Sequence, residues 1–376
     1  MQIQDEMLFP WISSEIENFL FSNRMEKKDL INLGIGDVCF PLSPLIVKSL
    51  IDASAEMGTK TIGYLDEQGL ARLREKIIEI VYPQNNFCKQ EIFICEGIAN
   101  SLSMLLKMFP SGSTFGILSP TYPVYKTLLN LLKMNIIEID PEEISSSNLN
   151  DKNFDALIIC SPNNPTGIAF DKTSLTYLVN FAIHTKTLIL FDGAYESFIK
   201  DKNFPRSIYE IDGAKDVAIE LRSFSKSLGF SALRLGYFTV PKELKYEGNF
   251  FLPLCQKTIA ASTNGVSYLS QSAGITALSK EGLEEMERLS NHYMGMVKRL
   301  KEHLIAQNQK VIGGEHAPYL FWNIGGDSKS HFKRLLKDNH LITIPGKGFG
   351  KDGYLRLSGF IEEKTLQRAL KVLHFS

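Results

Sequence analysis

The chain has 376 residues, 44% of them hydrophobic, and its 41 Lys and Arg against 42 Asp and Glu leave a net charge of −1. That length and apolar share support two domains or one large domain with an appendage, and the balanced charge offers no basic footprint for nucleic acid and no polybasic tract for a membrane surface. No run approaches the roughly 20 apolar residues of a membrane span, Met1 to Phe9 lack the basic n-region of a signal peptide, and five scattered cysteines without a Cys-x-x-Cys pair suit small core hydrophobes in a reducing cytosol.

In chain order, Ser14-Glu15-Ile16-Glu17 has the pattern of a capping box before Phe19 and Leu20 and predicts a short helix starting there. Leu30 to Asp37 is an apolar strand entering a glycine turn, where Gly34 and Gly36 let backbone approach a ligand. Residues 43–58 and Leu70–Tyr82 read as helices. From about residue 91 strands alternate with helices. Glu91–Cys95, Thr114–Leu118, Asn135–Ile139, Ala156–Cys160, Thr187–Phe191, Val217–Leu221 and Leu235–Val240 are strand-like, with helical spacing over Ile98–Phe109, Tyr122–Leu132 and Ser174–His184. Continuously apolar strands alternating with helices predict an α/β fold with a mostly parallel sheet covered on both faces. After about residue 270 the pattern changes to a long helical stretch, Ser270 to Gln307, with a break near Ser279. The expected division is an arm over 1–40, a large domain over 41–269 and a smaller α+β domain over 270–376, the arm joining the smaller domain.

The polar motifs fall at the ends of the predicted strands, where ligands of open α/β sheets sit. Ser223-Phe224-Ser225-Lys226 puts one lysine among hydroxyls, with Arg234 eight residues on. A desolvated lysine loses its proton readily and forms a Schiff base; Ser223, Ser225 and the planar Arg234 are what anchors a phosphate monoester. Together they point to pyridoxal phosphate, against the plainer reading of a solvated loop. Ser161-Pro162-Asn163-Asn164-Pro165 is either a simple Asn-Pro turn or a turn that aims Asn164 at a ring oxygen. Asp192 at a strand tip either caps the next helix or pairs with a pyridinium nitrogen, with Tyr195 beside it. Tyr122 can stack on a ring or be a rim residue. Arg356, inside the apolar stretch Tyr354–Ser358, needs an anionic partner, either a substrate carboxylate or a structural carboxylate. The histidines show no metal-ligand spacing, and no metal is expected.

This set, in this order, resembles the fold-type I aminotransferases that use pyridoxal 5′-phosphate, over nearly the whole chain. The resemblance implies that Lys226 carries the cofactor as a Schiff base and moves the substrate proton. Asp192 then pairs with the ring nitrogen, Asn164 and Tyr195 contact the ring hydroxyl, and Tyr122 stacks. Ser223, Ser225, Arg234 and the backbone at Ile98 and Ala99 hold the phosphate, with Tyr64 reaching it from the partner of a homodimer. Arg356 and the Gly36 backbone bind the α-carboxylate. Leu33–Asp37, Glu67-Gln68-Gly69, Ser262–Gly265, Gly313–Tyr319 and Pro345–Gly350 are similar, more narrowly, to the LL-diaminopimelate aminotransferases. There Glu67 and Asn264, from the partner subunit, read the far ammonium and carboxylate of the substrate. The chain departs from that pattern at Ile98-Ala99, where Ala-Lys is usual, at Met7 in place of a tyrosine, and at Val38-Cys39 in place of paired threonines. The resemblance implies ping-pong transfer between an amino acid and a 2-oxo acid, LL-diaminopimelate and 2-oxoglutarate above all, in the cytoplasm. The alternatives are a transaminase of another amino acid, or a lyase, racemase or cyclase on the same scaffold. An effector-binding regulator would need a DNA-binding basic stretch that the chain lacks.

Overall fold

The computed structural model describes residues 8–149 and 152–374; Met7 lies outside the described residues. The central sheet has seven strands: β1 (Ile92–Cys95), β2 (Thr114–Leu118), β3 (Asn135–Ile139), β4 (Ala156–Cys160), β5 (Leu188–Asp192), β6 (Ala218–Ser223) and β7 (Gly236–Thr239). Their spatial order is β1-β7-β6-β5-β4-β2-β3. β7 runs antiparallel to both of its neighbours, and the remaining pairs are parallel. Every residue of β4 and β5 is buried. Those strands read as unbroken apolar runs because both faces of the sheet are covered.

Register decides which side chains share an edge. Cys160 pairs with Asp192, Asp192 with Leu221, and both Ser223 and Cys95 sit opposite Gly236. The carboxyl ends of β1, β4, β5 and β6 are therefore level, and the segments leaving them converge on one edge. Helix α1 (Ile98–Leu106) starts just beyond β1, and α2 (Pro123–Leu131) just beyond β2, with Pro123 in the first turn where its missing N–H costs nothing.

The C-terminal third adds a four-stranded antiparallel sheet, β8 (Lys310–Gly313), β9 (Tyr319–Asn323), β10 (Ile344–Pro345) and β11 (Tyr354–Ser358), ordered β8-β9-β11-β10. Its residues Leu320, Trp322, Leu355 and Leu357 share a core with Trp11, Ile12 and Leu33, while the seven-stranded sheet has its own. The 27-residue helix Lys280–Ala306 spans both, giving Leu289 and Tyr293 to the larger core and Val297, Leu300 and Leu304 to the smaller.

Most expected elements form, with ends moved by one to three residues. The break near Ser279 is present, and Ser279 Oγ caps the second helix by accepting from the Gly282 N–H at 3.2 Å. One expectation fails. Among the described residues the N-terminal helix covers Leu8–Asn23, so Ser14 lies inside it rather than at its start. Leu8, Trp11 and Ile12 recur at helical spacing and are buried, and Trp11 packs on Phe332 at 5.5 Å between ring centroids, so tertiary burial outweighs the local capping signal. The short strand entering the glycine turn is present as Ile31–Asn32, paired in parallel with Leu341–Ile342. A helix at Phe251–Ser262 has no counterpart among the expected elements.

Candidate active site

The level strand ends open into a cavity of about 760 Å³. Lys226, just past β6, enters it. Its Nζ donates to the Gly36 carbonyl and lies 3.5 Å from Asp37 Oδ1. Burial pushes this amine below its ordinary pKa. Asp37 opposes the shift, and the neighbouring Arg356 and Arg234 add to it. A lysine so placed is poised as a nucleophile and a proton carrier.

Asp192, 6% exposed, forms the floor. The Tyr125 hydroxyl donates to its Oδ2 at 2.6 Å and the Ala194 N–H to its Oδ1 at 3.0 Å. Burial raises this carboxyl above its usual range, against the lowering effect of both hydrogen bonds. Asn164 Nδ2 donates to the Tyr195 hydroxyl at 3.4 Å, and Tyr195 meets the Tyr319 hydroxyl at 3.1 Å. Burial holds the Tyr195 phenol well above its ordinary value. Tyr122 lines the wall and meets Tyr125 edge-on at 5.7 Å.

Arg234 sits at φ 54, a left-handed backbone that costs a non-glycine residue roughly 1 kcal/mol or more. Its guanidinium donates to the Ser231 carbonyl at 2.9 Å and the Glu96 carbonyl at 3.1 Å, which aims it at the start of α1. There Gly97 has φ 88, and a Cβ on it would come within 2.4 Å of Arg234 Nη2. Ser223, Ser225, Ile98 and Ala99 line the same end of the cavity. The Ser225 N–H donates to Ser223 Oγ at 3.1 Å. Hydroxyls, a guanidinium and a helix N-terminus together make an anion cradle.

Arg356, on β11 and 2% exposed, closes the other side. It donates to Asn164 Oδ1 at 2.8 Å and to the Gly34 carbonyl at 2.6 Å, and stacks on Tyr319 and Phe349 at 4.7 and 5.1 Å. Its buried Nε has no hydrogen-bond partner, and it forms no ion pair with a carboxylate among the described residues. The structural salt bridge considered from the sequence is thus absent among the described residues, leaving a cation open to an anionic ligand. A Cβ on Gly36 would come within 2.4 Å of the Tyr319 hydroxyl, so the close approach of this loop to the buried Tyr319 side chain favours glycine there.

Gly36, Ile98, Ala99, Tyr122, Asn164 and Asp192 are brought to one cavity with Tyr195, Ser223, Ser225, Lys226, Arg234 and Arg356. Tyr64, Glu67 and Asn264 do not line it in the single chain, and Tyr64 is 90% exposed. Four participants went without a role in the sequence: Tyr125, Tyr319, Asp37 and Ser231, whose Oγ donates to Asp37. Tyr125 lies three residues after Tyr122, one helical turn on; Asp37 and Tyr319 close two of the stretches that carry the resemblance but had no role there, and nothing in the sequence flags Ser231.

The family model described as aminotransferase class I and II matches residues 28–373. The LL-diaminopimelate aminotransferase of Protochlamydia amoebophila is 36% identical over 390 residues, covering 98% of this chain and 94% of that protein. Its counterpart from Prochlorococcus marinus (strain MED4) is 35% identical, covering 99% and 97%. Among solved structures, the L,L-diaminopimelate aminotransferase from Chlamydomonas reinhardtii superposes with a TM-score of 0.91 at 32% identity, covering 98% of this chain and 95% of that one. With the family match spanning nearly the whole chain and full-length relatives above 30% identity, the protein belongs to aminotransferase class I and II.

Proposed function

We propose that the protein moves an amino group between LL-diaminopimelate and 2-oxoglutarate with pyridoxal 5′-phosphate as cofactor. Three features of the cavity fit that cofactor. The Arg234, Ser223, Ser225 and α1 cradle suits a phosphate monoester, and Gly97 leaves it room. Asp192 is a buried carboxylate whose charge a protonated ring nitrogen would balance. Asn164 and Tyr195 offer an amide and a phenol for a ring oxygen. When bound, the cofactor supplies the electron sink for the charge left when Cα loses its proton.

The chain's own residues do the rest. Arg356 binds the substrate α-carboxylate with its guanidinium, beside the Gly36 backbone. Lys226 Nζ, its proton loosened by burial, would take the proton from Cα and deliver it to the cofactor's C4′. Tyr125 and the Ala194 N–H keep the Asp192 carboxylate oriented. Tyr122, in the cavity wall, would stack on the ring. The observation that carries this function is Arg356, buried, without a carboxylate of its own, and open to the same cavity as Lys226.

The relatives named for LL-diaminopimelate support that donor. By the sequence resemblance, Glu67 and Asn264 would read its far end from the partner of a homodimer, and Tyr64 would reach the phosphate. The cytoplasm suits five free cysteines and described helices of which none is long and apolar enough to cross a membrane. The division at 1–40, 41–269 and 270–376 is supported by separate cores joined through one long helix.

The test is glutamate formation from 2-oxoglutarate with LL-diaminopimelate against aspartate, alanine, lysine, ornithine and aromatic amino acids. Glutamate from LL-diaminopimelate, strictly dependent on oxo acid, is expected. Turnover of another donor only would overturn the substrate and leave transamination; ammonia release without oxo acid would overturn transamination itself.

A further inference from the structure

We propose that Tyr319 is a positioning residue whose hydroxyl donates to the Tyr195 oxygen and so leaves the Tyr195 O–H for the Lys226 cavity, as a donor to a ring oxygen of the cofactor. The inference rests on the pyridoxal phosphate reading above. Tyr319 opens β9 of the small sheet, while Asn164 and Tyr195 follow β4 and β5 of the large one. Tyr319 pairs with Ser358 across β9 and β11, which sets it on the same face as Arg356. The Arg356 guanidinium lies 4.7 Å from the centre of its ring. One side chain thus touches both the cation open to a carboxylate and the phenol open to the ring.

Donor counting fixes where each hydrogen goes. A guanidinium only donates, so the Asn164 atom 2.8 Å from Arg356 Nη1 is the oxygen. Asn164 Nδ2 therefore faces Tyr195 and donates to its oxygen at 3.4 Å. The Tyr195 and Tyr319 hydroxyls lie 3.1 Å apart, and geometry alone lets either donate to the other. Burial separates the two cases. Tyr319 is 0% exposed, and Tyr195 is the one hydrogen-bond partner of its hydroxyl among the described residues. If Tyr195 donated, the Tyr319 hydrogen would be buried without an acceptor, which native structures avoid. If Tyr319 donates, the hydrogen left over is that of Tyr195, which is 6% exposed and lines the cavity. An acceptor held in the cavity then completes the set. Burial lifts both phenols above their ordinary pKa and Arg356 only partly opposes it, so each keeps its proton near neutral pH; Cys160 and Tyr122 are the other titratable groups beside them.

The test is a pH titration of the visible absorbance of the protein loaded with pyridoxal phosphate. A donor to the ring oxygen favours its anionic form, so weakening that donor raises the pH at which the cofactor loses its proton. Tyr195→Phe removes the donor and should raise the midpoint by about one unit. Tyr319→Phe keeps the ring beside Arg356 but removes the hydroxyl that steers Tyr195, and should raise it by about half a unit. Added to Tyr195→Phe, Tyr319→Phe should change nothing further, because its effect passes through Tyr195. Replacing Tyr319 by a ring-fluorinated tyrosine, a more acidic donor of nearly the same shape, should lower the midpoint, and serves if Tyr319→Phe folds poorly. The proposal is overturned by an unmoved or lowered midpoint in Tyr319→Phe, or by a fluorinated protein whose midpoint does not fall. An equal rise with and without the Tyr195 hydroxyl would also overturn it, since Tyr319 would then act through packing. A parent protein that takes up no pyridoxal phosphate would overturn the cofactor reading as well, whereas a loaded parent and an unmoved Tyr319→Phe overturn this proposal alone.

Discussion

Burial moves Lys226 and Asp192 in opposite directions, the amine down and the carboxyl up, because each loses water around its charged form. The amine is reactive when neutral, so labelling of Lys226 by pyridoxal phosphate should climb at lower pH than that of an exposed lysine, whose pKa is about 10.4. Asp37 favours the charged amine, so Asp37→Asn should carry that profile to still lower pH; an unmoved or raised midpoint would contradict the assignment. For Asp192 the folded pKa lies above the unfolded value of about 3.9. The folded state therefore holds the extra proton between the two values, and stability falls as pH rises through that window. Asp192→Asn should accordingly make the cofactor-free protein more stable at pH 7, with the advantage vanishing below about pH 4. Thermal unfolding across pH reads this directly, and a less stable variant at pH 7 would refute it. Tyr125→Phe removes the 2.6 Å hydrogen bond to Asp192. We expect it to lower turnover about tenfold and to weaken retention of the cofactor while leaving the fold intact; turnover and cofactor retention equal to the parent's would mean that the bond serves packing alone.

Helix α1 and the strands beside it show how an element is placed for a ligand. Gly97 turns the chain at φ 88 beneath Arg234. Gly97→Ala should cost about 1–3 kcal/mol from backbone strain and contact with the guanidinium. It should also loosen the phosphate cradle, measured as faster cofactor loss on dialysis; unchanged retention would remove the cradle from this position. The sequence made this layout legible because strand ends, glycines and polar tips are local signals: Asp192, Ser223 and Asn164 each come at the end of an apolar run. It concealed the features that depend on distant chain. The helix from Leu8 is set by Trp11 against Phe332, more than 300 residues away, and the role of Tyr319 comes from crossing Gly36. Phe251–Ser262 contains Pro253 near its start, which obscures its helical spacing, yet Phe251, Cys255 and Ile259 bury one face.

For the whole molecule, the open question is assembly. Tyr64, Glu67 and Asn264 lie outside the Lys226 cavity of their own chain. If they complete a neighbour's site, mixing inactive Lys226→Ala subunits with Tyr64→Ala, Glu67→Ala double-variant subunits should rebuild one intact site per mixed dimer. That returns about a quarter of parental activity at random pairing; no recovery would contradict shared sites. At the same scale, the two cores meet along the helix Lys280–Ala306 and at Tyr319 and Phe360, so ligands at Arg356 and at Asp192 draw on both. All of this hangs on Lys226 being the reactive amine. The direct measurement is borohydride reduction of the protein with pyridoxal phosphate, then peptide mass spectrometry. A single phosphopyridoxyl group on Lys226, absent from Lys226→Ala, is the predicted result. Stoichiometric label on another lysine, or no label on a protein that still catalyses transfer, would contradict it.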